Sequence, residues 1–158
     1  MAKRDYGSVR ALVAVDDSHL CQGLLDAFGR AGLPPSAIAV TPAGLRDALA
    51  TGVDLAVISD ELAGEFVAPL IAEVRRGRLG PQPFPIVVVV MAGGDPARGR
   101  AVSDCGPDDI LTLPVTPAAV LRQVGLYVGG GRKPLVVTPG YAGPERRSGA
   151  RASATAGG

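Results

Sequence analysis

Aromatic residues and histidine are scarce in this sequence of 158 residues. It contains no tryptophan, one histidine, three phenylalanines and three tyrosines. So few aromatic side chains argue against a stacking surface of the kind that binds single-stranded nucleic acids. The single histidine, His19, gives little basis for the nucleophile and base pairing of hydrolytic enzymes. We therefore expect a protein that is not an enzyme.

Cysteines, net charge and long apolar runs are also limited. Cys21 and Cys105 lie far apart without the spacing of metal ligands, so we expect buried thiols. The 16 basic and 15 acidic residues leave a net charge of +1, which favours neither DNA nor a membrane surface as a partner. The most apolar run, residues 86–91, is too short to span a bilayer, and the opening residues lack a leader's apolar core. We expect a cytoplasmic protein.

Short apolar runs alternate with segments of helical period between residues 9 and 128. The predicted strands cover residues 11–15, 37–40, 55–58, 86–91 and 110–113. Such alternation is typical of parallel βαβ units, with apolar strands covered by helices on both faces. The predicted fold is therefore α/β: a single (βα)5 domain with a doubly wound, parallel, five-stranded sheet of the flavodoxin-like type.

Helix boundaries are predicted from caps and from apolar periodicity. We expect the first helix to begin after Ser18 as its N-cap, and the second to follow Thr41. The third is predicted over residues 65–76 with Phe66 facing inward, and the fifth begins with Thr116 and Pro117. From residue 129 to 158 the composition shifts to Gly, Pro, Ser and Arg, which predicts a flexible, disordered tail.

Acidic residues follow two of the predicted strands. Asp16 and Asp17 come after the first strand, and Asp60 comes after the third. The carboxyl ends of parallel strands meet at one edge of a sheet, so these side chains could form an oxygen-rich site for Mg²⁺. The alternative is that the aspartates only end strands and cap helices.

Four stretches of the sequence resemble the receiver domains of bacterial two-component response regulators. They are Ala-Leu-Val-Ala-Val-Asp-Asp-Ser ending at Ser18, Asp-Leu-Ala-Val-Ile-Ser ending at Ser59, Phe-Pro-Ile-Val-Val-Val-Val ending at Val90, and Asp-Ile-Leu-Thr-Leu-Pro ending at Pro114. In that family an acidic pair helps to hold Mg²⁺, and an aspartate after the third strand accepts phosphate from a histidine kinase. A Ser or Thr ends the fourth strand, and a Lys precedes a Pro after the fifth.

Three of these positions differ from the family pattern. The resemblance matches Asp16 and Asp17 to the acidic pair, but it places Ser59 in the acceptor position, Val90 in the hydroxyl position and Leu113 in the lysine position. A serine hydroxyl is a poor nucleophile and cannot form an acyl phosphate, while leucine and valine supply neither a cation nor a hydroxyl. Asp60 lies one residue beyond the acceptor position. A metal site at Asp17 and Asp60 is therefore expected to be weak or lost.

The resemblance implies a degenerate receiver domain in phosphorelay signal transduction that acts as a phosphorylation-independent protein-interaction module. Its partner would be a histidine kinase or another regulator, and pairing of two copies is left open. The family's docking face would include Thr112, Val115, Arg122 and Tyr127. One alternative is an active receiver that is phosphorylated at Asp60 with Mg²⁺. A small flavodoxin-like nucleotide-binding protein is a further alternative, although no GxGxxG or GxxxxGK[ST] pattern occurs.

The tail carries a second, shorter resemblance. Residues 141–147, Tyr-Ala-Gly-Pro-Glu-Arg-Arg, are similar to the Tyr-x-Gly-Pro-Asp-Arg-Arg ending that follows receiver domains in some alphaproteobacterial regulators. This resemblance is compatible with a disordered end or with a segment that folds on binding a partner.

Overall fold

The computed structural model of the protein describes residues 8–146. In chain order the elements are β1 (Ala11–Ala14), α1 (Ser18–Arg30), β2 (Ala37–Ile38), α2 (Pro42–Thr51), β3 (Leu55–Ser59), β4 (Glu61–Leu62), β5 (Glu65–Phe66), α3 (Pro69–Arg75), β6 (Ile86–Ala92), α4 (Pro96–Asp104), β7 (Asp109–Leu113), α5 (Pro117–Val128), β8 (Leu135–Thr138) and β9 (Tyr141–Pro144). Five parallel strands form one sheet in the order β2-β1-β3-β6-β7. The predicted fold class is confirmed.

Both faces of the sheet are covered by helices. Alternate strand residues such as Val13 and Val57 pack with α1 and α5, where Phe28 is fully buried. The intervening residues, such as Leu12 and Ile58, pack with α2, α3 and α4. Because side chains alternate between the faces, strands buried on both sides must be apolar throughout. This arrangement explains the unbroken aliphatic runs in the sequence.

The first helix is capped by a different residue from the one predicted. Asp17, rather than Ser18, is the N-cap of α1, and its Oδ1 accepts hydrogen bonds from the amides of His19 (2.9 Å) and Leu20 (3.0 Å). Aspartate satisfies free helix amides as well as serine does. Thr41 caps α2 as predicted. Asp17 therefore caps α1, the role that we predicted for Ser18.

The predicted third helix, residues 65–76, is wrong over its first turn. Residues 61–66 instead form a small antiparallel hairpin of β4 and β5, and α3 begins at Pro69. The turn residues Ala63 and Gly64 both have positive φ, at 50° and 81°, as a tight two-residue hairpin turn requires. Phe66 is consequently 39% exposed instead of buried.

The segment after α5 is ordered where a flexible tail was predicted. β8 and β9 pair as an antiparallel hairpin, and the side chain of Tyr141 is buried against the domain. Gly106 lies against the backbone of Ala142 and Gly143. A Cβ added to Gly106, which has φ of 94°, would meet the Ala142 carbonyl oxygen at 2.3 Å. Close backbone contact thus replaces the apolar side chains whose scarcity suggested disorder. Arg147 and the following residues lie outside the described part.

A buried ion-pair network holds this hairpin in place. The carboxylate of Asp108 is 1% exposed and accepts hydrogen bonds from Arg75 (3.1 Å) and from Nε of Arg132 (2.7 Å). Arg75 is itself buried and donates to the carbonyls of Gly106 (2.8 Å) and Pro85 (2.7 Å). Burial lowers the pKa of Arg75 to about 10, and the charge of Asp108 opposes that shift. Arg132, which follows α5, therefore ties the terminal segment to the amino-terminal edge of β6 and β7.

We predict that Arg132→Met destabilises the protein by about 2–3 kcal/mol, because it leaves the buried Asp108 carboxylate with only part of its hydrogen bonds. Arg100→Met, at an exposed position on α4, is the matched control and should change the free energy of unfolding by less than about 0.5 kcal/mol. Urea denaturation followed by circular dichroism measures both. Equal effects of the two substitutions would contradict this role of Arg132.

Candidate functional site

The carboxyl ends of β1, β3, β6 and β7 surround a cavity of about 350 Å³. Its lining residues are Val15, Asp16, Asp17, Leu20, Ser59, Asp60, Glu61, Val90, Ala92, Gly93, Asp95, Arg98 and Leu113. Open parallel sheets bind ligands at this edge, where loops from several strands converge. All six sequence-predicted site residues, Asp16, Asp17, Ser59, Asp60, Val90 and Leu113, line this one cavity.

Ser59 is the last residue of β3 and pairs in register with Val90 of β6. It is 8% exposed, and its Oγ accepts a hydrogen bond from the amide of Asp16 at 2.9 Å. This contact joins the end of β3 to the end of β1. The hydroxyl of Ser59 therefore holds two strand ends together, and no basic side chain among residues 8–146 hydrogen-bonds to it to activate it as a nucleophile.

Asp60 points toward α4. Its backbone is fixed by hydrogen bonds from its amide to the Val90 carbonyl (3.1 Å) and from the Val67 amide to its own carbonyl (2.8 Å). Its carboxylate, 9% exposed, accepts a hydrogen bond from Nε of Arg98. Nη2 of Arg98 also donates to Oε2 of Glu61 at 2.9 Å. One guanidinium thus bridges two neighbouring carboxylates at the end of β3.

The aromatic ring of Phe66 also contacts Arg98. Its guanidinium carbon lies 5.0 Å from the centre of the Phe66 ring, within the range of a cation–π contact. The hydrogen bond to Asp60 raises the pKa of Arg98 above its ordinary value, so the cation persists at any physiological pH. The hairpin of β4 and β5, which takes the place of the predicted start of the third helix, therefore supplies both Glu61 and Phe66 to this site.

Arg98 was not among the predicted site residues, although the sequence carries a signal for it. Pro96 opens α4 and Asp95 caps it, so Arg98 lies in the first turn of the helix. A cation is unfavourable there, because the amino-terminal end of a helix carries partial positive charge. A basic residue at this place indicates that carboxylates nearby compensate for it, as Asp60 and Glu61 do.

Asp16 and Asp17 lie at the exposed mouth of the cavity. Oδ1 of Asp16 accepts a hydrogen bond from the Ala63 amide at 3.2 Å, and Oδ1 of Asp17 caps α1. Within residues 8–146, no three His, Cys, Asp or Glu side chains are grouped so that they could hold a metal ion. With the Asp60 carboxylate paired to Arg98, the residues present do not fit the Mg²⁺ site that the family resemblance implies.

Two apolar side chains complete the cavity. Val90 is 1% exposed at its floor, and Leu113, at the end of β7, is 37% exposed at its rim. On the neighbouring face formed by α4, β7 and α5, Thr112 and Arg122 are exposed, whereas Val115 and Tyr127 are half-buried. Val90 and Leu113 therefore supply neither a hydroxyl nor a cation to the cavity.

The two cysteines are buried and unpaired, as expected from their positions. Burial raises the pKa of the Cys105 thiol to about 11 and raises that of Cys21 as well. Because the thiolate is the reactive form, neither thiol is an activated nucleophile.

In the described part of the chain, no helix combines the length and apolarity needed to cross a bilayer.

No protein-family model and no curated protein matches this sequence. Solved structures share its fold. A Francisella response-regulator receiver domain matches with a TM-score of 0.66 and 19% identity, over 79% of this chain and 100% of that one. The signal receiver domain of the response regulator NarL from Mycobacterium tuberculosis matches with a TM-score of 0.65 and 22% identity, over 77% and 97%.

The response regulator DrrB from Thermotoga maritima, an OmpR/PhoB homologue, matches with a TM-score of 0.65 and 17% identity over 82% of this chain. The match spans 56% of the length of DrrB. At these identities the similarity establishes the receiver fold of this chain.

We predict that Mg²⁺ does not stabilise the protein specifically. A site with a dissociation constant of about 1 mM would add about 1.4 kcal/mol at about 10 mM Mg²⁺. We expect no rise in the unfolding midpoint relative to NaCl of equal ionic strength, because Arg98 already neutralises the Asp60 carboxylate. Thermal unfolding followed by circular dichroism tests this. A saturable rise in the unfolding midpoint that Asp17→Asn removes would indicate a Mg²⁺ site and contradict this prediction.

Proposed function

We propose that this chain is a signalling module of the response-regulator receiver type that acts by binding a protein partner without being phosphorylated. The receiver fold supports the signalling class, and the pairing of Asp60 with Arg98 and Glu61 supports the loss of phosphorylation. In this proposal the domain is a bacterial, cytoplasmic pseudo-receiver without enzymatic activity of its own. The partner is a histidine kinase or another regulator of a two-component system.

The observation that carries this proposal is the position of the Arg98 guanidinium. Acyl-phosphate formation requires a carboxylate that is free to attack and a cation that neutralises the incoming phosphoryl group. Here the carboxylate of Asp60, the residue next to the acceptor position, already accepts a charge-assisted hydrogen bond from Arg98. Leu113 lies where the family resemblance places a lysine. Phosphoryl transfer to Asp60 would therefore have to break an existing ion pair, and no lysine or arginine other than Arg98 lines the cavity among residues 8–146.

Ser59 offers no substitute acceptor. Its hydroxyl is engaged with the amide of Asp16, and no base activates it among the contacts described above. A serine phosphate is an ester and lacks the reactivity of an acyl phosphate, so it could not serve a reversible phosphorelay in the same way. The chemistry at this edge of the sheet favours a fixed surface over a phosphorylation switch.

The alternative of an active receiver rests on the fact that Asp60 lines the cavity. Incubation with acetyl phosphate and Mg²⁺, followed by intact-mass measurement, separates the two proposals. We predict no phosphoryl adduct on the wild-type protein, on Asp60→Asn or on Ser59→Ala. A receiver domain with an established acceptor aspartate, treated in the same way, is the positive control.

A wild-type adduct that disappears in Asp60→Asn would establish the active receiver and overturn the proposal. An adduct that disappears in Ser59→Ala would also overturn it. Both variants are nearly isosteric, so circular dichroism should confirm that each is folded before the masses are compared.

A further inference from the structure

A second groove adjoins the cavity at the carboxyl edge of the sheet. It lies between the start of α1 and the loop from β7 to α5, encloses about 670 Å³ and shares Asp17, Leu20 and Leu113 with the cavity. We call it the α1–α5 groove. Pro114, Val115 and Pro117 extend its apolar surface. The two spaces adjoin at these shared residues, and we call them together the depression.

The charge around this depression is strongly one-sided, although the whole chain is close to neutral. The α1–α5 groove is lined by the carboxylates of Asp17 and Asp26, by the imidazole of His19 and by no lysine or arginine. The adjoining cavity adds the carboxylates of Asp16, Asp60, Glu61 and Asp95 and the single guanidinium of Arg98. Six carboxylates against one guanidinium leave a formal charge of −5, and that guanidinium is already bound to Asp60 and Glu61.

We propose that the α1–α5 groove binds a basic segment of a partner protein, whose arginine or lysine side chains reach the carboxylates of Asp17 and Asp26. The apolar surface of the groove fits this ligand, because long basic side chains lay their methylene stems on apolar surface while the charged ends reach polar groups. Leu113 and Val115 offer that surface beside the carboxylates. The inference rests on the proposed role as a protein-interaction module and specifies the chemistry of its partner.

The geometry also explains why Asp17 and Asp26 can serve such a ligand. Asp17 uses Oδ1 to cap α1, and Asp26 uses Oδ1 to accept a hydrogen bond from Nε2 of Gln22 at 3.1 Å. Both side chains are exposed, and no salt bridge to either is found among residues 8–146. Complementary charge at a groove of this kind gives specificity and speeds association.

A titration of the ¹⁵N-labelled full chain with the peptide Gly-Arg-Leu-Arg-Gly, followed by NMR, tests the proposal. We expect saturable shifts at the amides of Leu20, Gly23 and Val115, and weaker binding as NaCl increases. The same peptide with citrulline in place of arginine keeps the shape and removes the charge. We expect it to bind at least tenfold more weakly.

The matched variants are Asp17→Asn with Asp26→Asn, and Asp47→Asn as the control. Asparagine can still cap α1 and still accept from Gln22, so the fold should be preserved. Asp47 is exposed on α2, on the opposite face of the sheet. We expect the double variant to weaken binding at least tenfold and Asp47→Asn to leave it unchanged.

Absence of saturable shifts, equal binding of the citrulline peptide, or equal binding by the double variant would each overturn the proposal. A homodimer in light scattering that dissociates in the double variant would assign the groove to a second copy and would also overturn it. None of these outcomes depends on phosphoryl labelling, so failure here is distinguishable from failure of the proposed function.

Discussion

The contact between Arg98 and the carboxylates of Asp60 and Glu61 is the constraint on which the site depends. It joins the start of α4 to the end of β3, and it neutralises charge at the point where the strand ends converge. The ring of Phe66 packs against the guanidinium. A buried carboxylate without this partner would be costly. The cation of this cavity is therefore the guanidinium of Arg98. The family resemblance would place a metal ion and a phosphoryl group in the same cavity.

The opposite edge of the sheet carries a second internal charge network. Arg75 and Arg132 converge on Asp108 and thereby fix the terminal hairpin of β8 and β9 against the domain. Arg146, beside the ring of Tyr141, also pairs with Asp104 at the end of α4. Helix α4 is thus tied by ion pairs near both ends.

The strand pattern made the fold predictable, because β1, β3 and β6 of the main sheet are aliphatic runs and the order βα repeats five times. The cluster of Asp16, Asp17, Ser59 and Asp60 was predictable for the same reason. The partners of Arg98 were not, because Glu61 and Phe66 reach it through the hairpin of β4 and β5, where residues 65 and 66 were predicted as the start of a helix. The hairpin of residues 135–144 was also not predicted, because glycine backbone contacts and Arg132 hold it in place and apolar periodicity does not mark it.

A double-mutant cycle on Asp60 and Arg98 tests the central claim most directly. The free energy of unfolding is measured by urea denaturation for the wild type, Asp60→Asn, Arg98→Met and the double variant. Because the pair is partly buried and hydrogen-bonded, we predict a coupling energy of about 1–2 kcal/mol. A coupling energy near zero would show that Arg98 does not occupy the acidic cavity in solution, and the account of an internally neutralised site would then be wrong.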